Sequence, residues 1–315
     1  MEIISRLLSA LGPSCSRIGR LLQTSLAVLG QEKLTIVPFL VLFAVKLGRA
    51  LLLLYLLFLA FVTRDWDRAF PLMLIAMIYL PMETIVQTLL QAAVSKIGYD
   101  TLTSGRSSGP AVAHALMRNL FALLFIGFVS AIVRHVSESK QNGILGFFLA
   151  ILVFAVTEVW DLVSNFGISG IVVDNASVRT LVQRLKELRA HVPETLAGVI
   201  GIDLAGSLVS ALFAGGILLG LFGGGAAGYV YADHLPQAFL AQFGSLEVNT
   251  LPSLLLLSIS FSLDALVKSA TVCAKSLYFT MLYVLIVRPQ ELEASQAAAI
   301  ESVATATLGA KAGAA

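Results

Sequence analysis

The chain has 315 residues, 57% of them hydrophobic and 13% charged, with a mean hydropathy of +0.89. A soluble domain of this length cannot bury so much apolar surface, so lipid must cover the remainder. A formal net charge of +2, without a basic patch interleaved with aromatics, excludes a nucleic-acid partner.

Residues 1–33 form an amphipathic N-terminal segment. Leu7, Leu8 and Leu11, then Ile18, Leu21 and Leu22, recur at helical spacing with Arg6, Arg17 and Arg20 between them, interrupted at Gly12-Pro13. That pattern predicts helices lying on a membrane surface. The apolar stretch before Gly12-Pro13 is too short for a cleavable signal, so the first span is expected to direct insertion. Cys15 precedes the first span and Cys273 lies inside the last, which argues against a bridge between them.

Residues 34–290 read as a transmembrane domain. Hydrocarbon offers backbone groups no water, and runs of about 20 apolar residues point to helices over barrel strands. The fold class expected is all-α, a polytopic helix bundle with six spans near Leu34–Val62, Phe70–Val94, Ala111–Val133, Gly143–Phe166, Leu196–Phe222 and Pro252–Val287. Lys and Arg concentrate before the first span, in the second and fourth loops and in the tail. This predicts both termini on the cytoplasmic side of the membrane.

Within the first span, Lys46 and Arg49 are expected one or two turns deep, snorkelling to headgroups. In the second span Glu83, Gln87 and Gln91 recur every four residues behind Pro81, a polar stripe with a potential kink. The fourth span carries Glu158 and Asp161, and the fifth Asp203. In the last span Ser253, Ser260, Asp264, Lys268, Thr271 and Lys275 fall within roughly 80° of one another on a helix turning 100° per residue. Ionisable groups in hydrocarbon cost about 2.5–3.5 kcal/mol each, so this stripe should face the bundle interior. Asp264 and Lys268 pair at i,i+4, whereas Lys275 needs an acid from Glu83, Glu158, Asp161 or Asp203. These groups are either a solute, ion or headgroup site, or an ion-pair network that fixes helix register.

Two other features point to contacts. The fourth loop, Ser177 to Arg189, places Val178, Leu181, Val182, Leu185 and Leu188 on one face, so Arg179, Arg184, Lys186 and Arg189 belong to a basic amphipathic surface helix suited to lipid or a partner. Gly216, Gly220, Gly224 and Gly228 form a ridge on the fifth span for close helix packing, within the chain or in a homo-oligomer. The connection Tyr229–Leu251 reads as an outer loop, and residues 291–315 as an Ala-rich cytoplasmic tail.

Nothing in the sequence signals an enzyme. His114, His135, His191 and His234 lie near different helix ends without metal-ligand spacing, and no nucleophile elbow or P-loop appears. No cofactor is expected, and the partners are membrane lipids and membrane proteins.

Trp160, then Phe166-Gly167-Ile168, then Val172-Val173-Asp174, then the Ser177–Arg189 segment feeding Leu196, resembles a broad group of uncharacterised bacterial six-helix membrane proteins. That group is similar to the membrane domain attached to some glycerophosphoryl diester phosphodiesterases. Ser169-Gly170 stands where the group carries a proline, and no phosphodiesterase domain is expected after the last span. The resemblance implies a six-helix bundle in a bacterial inner membrane and transfers no catalytic residue. Two functions follow: a non-catalytic scaffold or accessory subunit of a membrane complex, or a transporter or lipid-handling protein whose interior site joins Glu83, Gln87, Asp264, Lys268 and Lys275. A polar cavity lined by these groups favours the second, and tight pairing without one favours the first.

Overall fold

In the computed structural model nearly all of the described chain is helical, because long apolar runs leave the backbone only intrahelical partners. The structure describes residues 32–138, 144–177, 180, 181, 183, 192–243, 246–288 and 290; the N-terminal segment, most of the basic fourth loop and the tail lie outside them. Helix α1 is Ile36–Leu57 and continues as a π-turn over Phe58–Thr63. It is followed by α2 (Trp66–Ser104), α3 (Gly109–Arg118), α4 (Leu120–Glu138), α5 (Ile144–Asp174), α6 (Val192–Leu218), a second π-turn (Leu219–Gly223), α7 (Gly224–Val230), strands β1 (Leu240–Phe243) and β2 (Leu246–Asn249), and α8 (Leu251–Val287). Among the described residues, five stretches are long and apolar enough to cross a membrane: Lys33–Thr63, Trp66–Ser104, Leu120–Ser137, Ile202–Val230 and Leu251–Val284. The 31-residue α5 occupies the place of the fourth expected span.

The helix boundaries have local causes. Asp65 caps α2, its carboxylate accepting from the Arg68 amide at 3.1 Å. Ser108 caps α3 by accepting from the Ala111 amide. Pro110, Pro193 and Pro252 all sit in the first turn of their helices, where the missing amide hydrogen costs nothing. Pro71 and Pro81 instead lie inside α2, which runs on through both. The third expected span is divided at Asn119, whose side chain donates to the Ala115 carbonyl at 3.0 Å and to Asn175 at 3.0 Å. Asn175 ends α5 in the left-handed region, which asparagine tolerates.

The expected outer loop is more ordered than its sequence suggests. β1 and β2 form an antiparallel hairpin with Leu240 opposite Asn249, the one departure from an all-α chain among the described residues. Asn249, fully buried, donates to the Pro236 carbonyl at 2.9 Å and accepts from the Leu251 amide at 3.1 Å, joining the hairpin to the start of α8.

The chain divides into two compact units. The first takes residues 84–204 and 271–288 with the start of α1. Its core is Leu162, Phe166, Val173, Ile202, Tyr278, Phe279, Leu282 and Tyr283, with the Phe166 and Tyr283 rings 5.0 Å apart. A second cluster packs Ala92, Leu123, Ile126, Ile168, Ile171 and Val172. Gly127 lets α4 lie against α2 there, since a Cβ would stand 3.1 Å from the Cα of Ile85. The second unit takes residues 41–83 and 205–270. Its glycine ridge is covered by the chain itself: Gly216 faces Ser260, Gly220 faces Leu257, Gly224 faces Ser253 and Gly228 faces Asn249. The intrachain alternative is therefore the one the packing realises.

Candidate functional site

The best-formed polar site lies inside the first unit, where α2, α4 and α5 surround a cavity of about 260 Å³. Thr84, Gln87, Thr88 and Gln91 recur at i, i+3, i+4 and i+7 on α2, so one face of that helix presents hydroxyls and amides. α4 contributes Ser130, Arg134 and Ser137 at the same spacing, and α5 contributes Thr157, Trp160, Asp161, Ser164 and Asn165. Polar lining in helices of membrane length is costly unless each group has a partner, and here many do. Trp160 donates from its indole nitrogen to Ser130 at 2.9 Å, Gln91 donates to Asn165 at 3.2 Å, and Asn165 donates to the Asp161 carboxylate at 2.9 Å.

Asp161 connects the cavity to a buried cation. Lys275 of α8, its side chain 9% exposed, donates both to Asp161 and, at 2.7 Å, to Asp203 of α6. The ammonium thus has two carboxylates from two helices, which offsets its desolvation. The partner Lys275 needs comes from the expected list, as Asp161 and Asp203 together. The side chain of Glu158 lies outside those described. Counting Arg134, Lys275, Asp161 and Asp203, the described charges at and beside the cavity sum to zero.

The structure separates groups that the sequence suggested were joined. Glu83 has a side chain only 2% exposed. It sits in the second unit with Arg49 at 3.0 Å and Lys46 at 3.6 Å. This corrects the snorkelling expected of Lys46, which is buried at 7% exposure, because a carboxylate on the neighbouring helix gives it a closer counter-charge than the headgroups do. Asp264 and Lys268 pair at 2.7 Å as spaced, yet Lys268 is 48% exposed and does not face an interior. The stripe on α8 is continuous, but its neighbours change: Ser253, Leu257 and Ser260 pack on the glycine ridge, Lys268 lies beyond the ridge, and Lys275 meets α5 and α6. Glu83, Asp264 and Lys268 thus belong to the second unit and Lys275 to the first.

Of the cavity lining, the sequence singled out only Gln87, Gln91 and Asp161 as site residues. It missed the rest, Ser130, Arg134 and Asn165 among them, and the signal available was polar residues at i, i+3 or i+4 in consecutive apolar spans. A further cluster closes the far end of the first unit. Asp174, its side chain 4% exposed, accepts from Tyr283 and lies 2.5 Å from the Arg288 guanidinium, which also donates to Tyr99 at 3.1 Å. Arg179, Arg184, Lys186 and Arg189 lie outside the described residues. Among the described residues no cluster of His, Cys, Asp or Glu is arranged to hold a metal ion. No known family, curated protein or solved structure matches the chain.

Proposed function

We propose that this chain is a polytopic membrane protein of the transporter type, which admits a small hydrogen-bonding solute to the cavity between α2, α4 and α5. The observation that carries the reading is the cavity itself: hydroxyls, amides, an indole, Arg134 and Asp161 converge between α5 and two helices, α2 and α4, whose length and composition suit hydrocarbon. A purely structural network would pack such groups against each other and leave no space. The volume lies just under the ~300–1,000 Å³ of drug-sized ligand pockets, which favours a small solute.

In this proposal the chain crosses a bacterial inner membrane six times, α5 being the fourth crossing, with both termini cytoplasmic and the basic fourth loop on that surface. The feature order from Trp160 to Arg189 fits kinship with the six-helix group it resembles. The protein is assigned no catalytic step. The scaffold alternative loses one of its contact surfaces, since the glycine ridge is covered within the chain.

The test uses Trp160 as its own reporter, because Trp66 is the only other tryptophan. In a Trp66→Phe variant reconstituted in liposomes, acrylamide added to the water should quench Trp160 emission. Polyols, sugars or zwitterionic amino acids that enter should protect it saturably. Quenching by brominated lipid chains alone, with none by acrylamide, would overturn the reading.

A further inference from the structure

Contacts within the first unit fix which end of its helices the polar cavity reaches. Asn119, at the start of α4, donates to Asn175, just past α5, at 3.0 Å, so the start of α4 and Asp174 at the end of α5 share one end of the unit. The cavity takes its α4 residues from the other end: Ser130, Arg134 and Ser137, the last of them exposed and next to the helix terminus. On α2 the lining stops at Gln91, eight residues before Tyr99, and on α5 at Ile168, six before Asp174. At 1.5 Å per residue, roughly 9–12 Å of packed helix separates the cavity floor from the cluster of Asp174, Tyr283, Arg288 and Tyr99.

That packed stretch buries hydroxyls along with its apolar residues. Val94, Ile171 and Val172 are at most 2% exposed, and so are Ser95, Ser169 and Thr280. Ser95 stands one turn beyond Gln91 and one turn before Tyr99. On a helix turning 100° per residue it falls about 40° from Gln91, so it continues the face of α2 that lines the cavity. Ser169 stands one turn beyond Asn165 and meets Thr280 of α8 at 3.4 Å. The Ser95 hydroxyl has no hydrogen-bond partner among the described residues. A buried hydroxyl without a partner is unfavourable, and water would satisfy it if these helices parted.

We infer that this hydroxyl-bearing stretch is the closed half of the solute pathway, and that Asp174, Tyr283, Arg288 and Tyr99 form the latch that holds it shut. The inference rests on the transporter reading of the cavity. The latch ties three helices at one end. Asp174 of α5, its side chain 4% exposed, accepts from Tyr283 of α8 and lies 2.5 Å from the guanidinium of Arg288, which follows α8 and donates on to Tyr99 of α2 at 3.1 Å. Arg288 is 31% exposed, so water reaches the ion pair from that end and the pair separates at less cost than a fully buried one. Its separation frees the ends of α2, α5 and α8, and solute follows Ser95, Ser169 and Thr280 outward from the cavity floor. Alternating access requires this arrangement, with one end of the path closed while the other is open.

Single cysteines test this in the full chain carrying Cys15→Ser and Cys273→Ala, reconstituted in vesicles sorted by orientation and treated with a membrane-impermeant methanethiosulfonate. Ser130→Cys lines the cavity and should react in one orientation, whereas Ser95→Cys should react slowly in both. Adding Asp174→Asn or Arg288→Gln should speed labelling of Ser95→Cys by roughly tenfold or more, in the orientation opposite to the one that labels Ser130→Cys. Tyr99→Phe removes one hydrogen bond and no charge, so it serves where the charge variants do not fold and should speed labelling about threefold. A cluster that only stabilised the fold would lower the melting midpoint without this one-sided gain. If Ser130→Cys is inert in both orientations, the transporter reading fails and the latch with it. If Ser130→Cys reacts while Ser95→Cys gains nothing in any variant, is already fast in the parent, or gains in the same orientation as Ser130→Cys, the latch alone is overturned.

Discussion

Replacing Lys275 by methionine removes the ammonium and leaves Asp161 and Asp203 facing one another without a counter-charge. Methionine fills much of the same volume, so the change is chiefly electrostatic. Breaking a buried pair by deleting one partner costs ~3–5 kcal/mol. Here the lysine is 9% exposed but the two carboxylates are 36% and 42% exposed, so solvent relieves part of their repulsion. A value of about 2–3 kcal/mol follows, toward or below the lower end of that range. At ~2–4 °C per kcal/mol for a chain of this size, the midpoint should fall by about 4–12 °C, read by thermal unfolding of the detergent-purified protein. The triple variant Lys275→Met/Asp161→Asn/Asp203→Asn carries none of the charges and should recover to within ~1 kcal/mol of the parent. Lys268→Ala, at a half-exposed i,i+4 pair, should cost no more than ~1 kcal/mol. A triple variant as unstable as Lys275→Met alone would show that charge balance is not what holds these three helices together.

At the glycine ridge, a Cβ on residue 224 would stand 2.6 Å from the Cα of Ser253, so Gly224→Ala should lose ~1–3 kcal/mol without changing the elution volume of the purified protein. Gly225 has nothing within 4 Å of that position, and Gly225→Ala should be neutral or gain up to ~1 kcal/mol; equal losses at both sites would contradict the packing. Cys273 is fully buried, so in a Cys15→Ser background a maleimide should label the protein only after denaturation, and rapid labelling of the folded form would place that face of α8 in solvent. Tyr283→Phe strips a hydroxyl donor from the buried Asp174 and should cost ~1–3 kcal/mol. An unshifted melting curve would mean that the tyrosine hydroxyl is not needed to satisfy that carboxylate.

Much of the architecture is local in origin and was therefore legible in the residues. Apolar runs of span length set where the long helices lie, because backbone groups in lipid have nowhere else to bond. Helical periodicity put Lys275 on a polar stripe that demanded a distant acid, and spacing alone paired Asp264 with Lys268. What periodicity cannot supply is the neighbour that covers each stretch of a stripe. Lys268 and Lys275 differ by seven residues and share a face, yet one is half exposed and the other buried between two carboxylates. Lys46 and Glu83, read from sequence as a snorkelling cation and an interior acid for another helix, answer one another. The hairpin at Leu240–Asn249 escaped notice because its two strands are four residues each, too short for an alternation to stand out. A helix's own sequence determines which groups lie side by side along it. Only the packing of helices distant in sequence decides whether those groups meet a counter-charge, a glycine ridge or an open cavity, because these energies arise from atoms the local sequence does not contain.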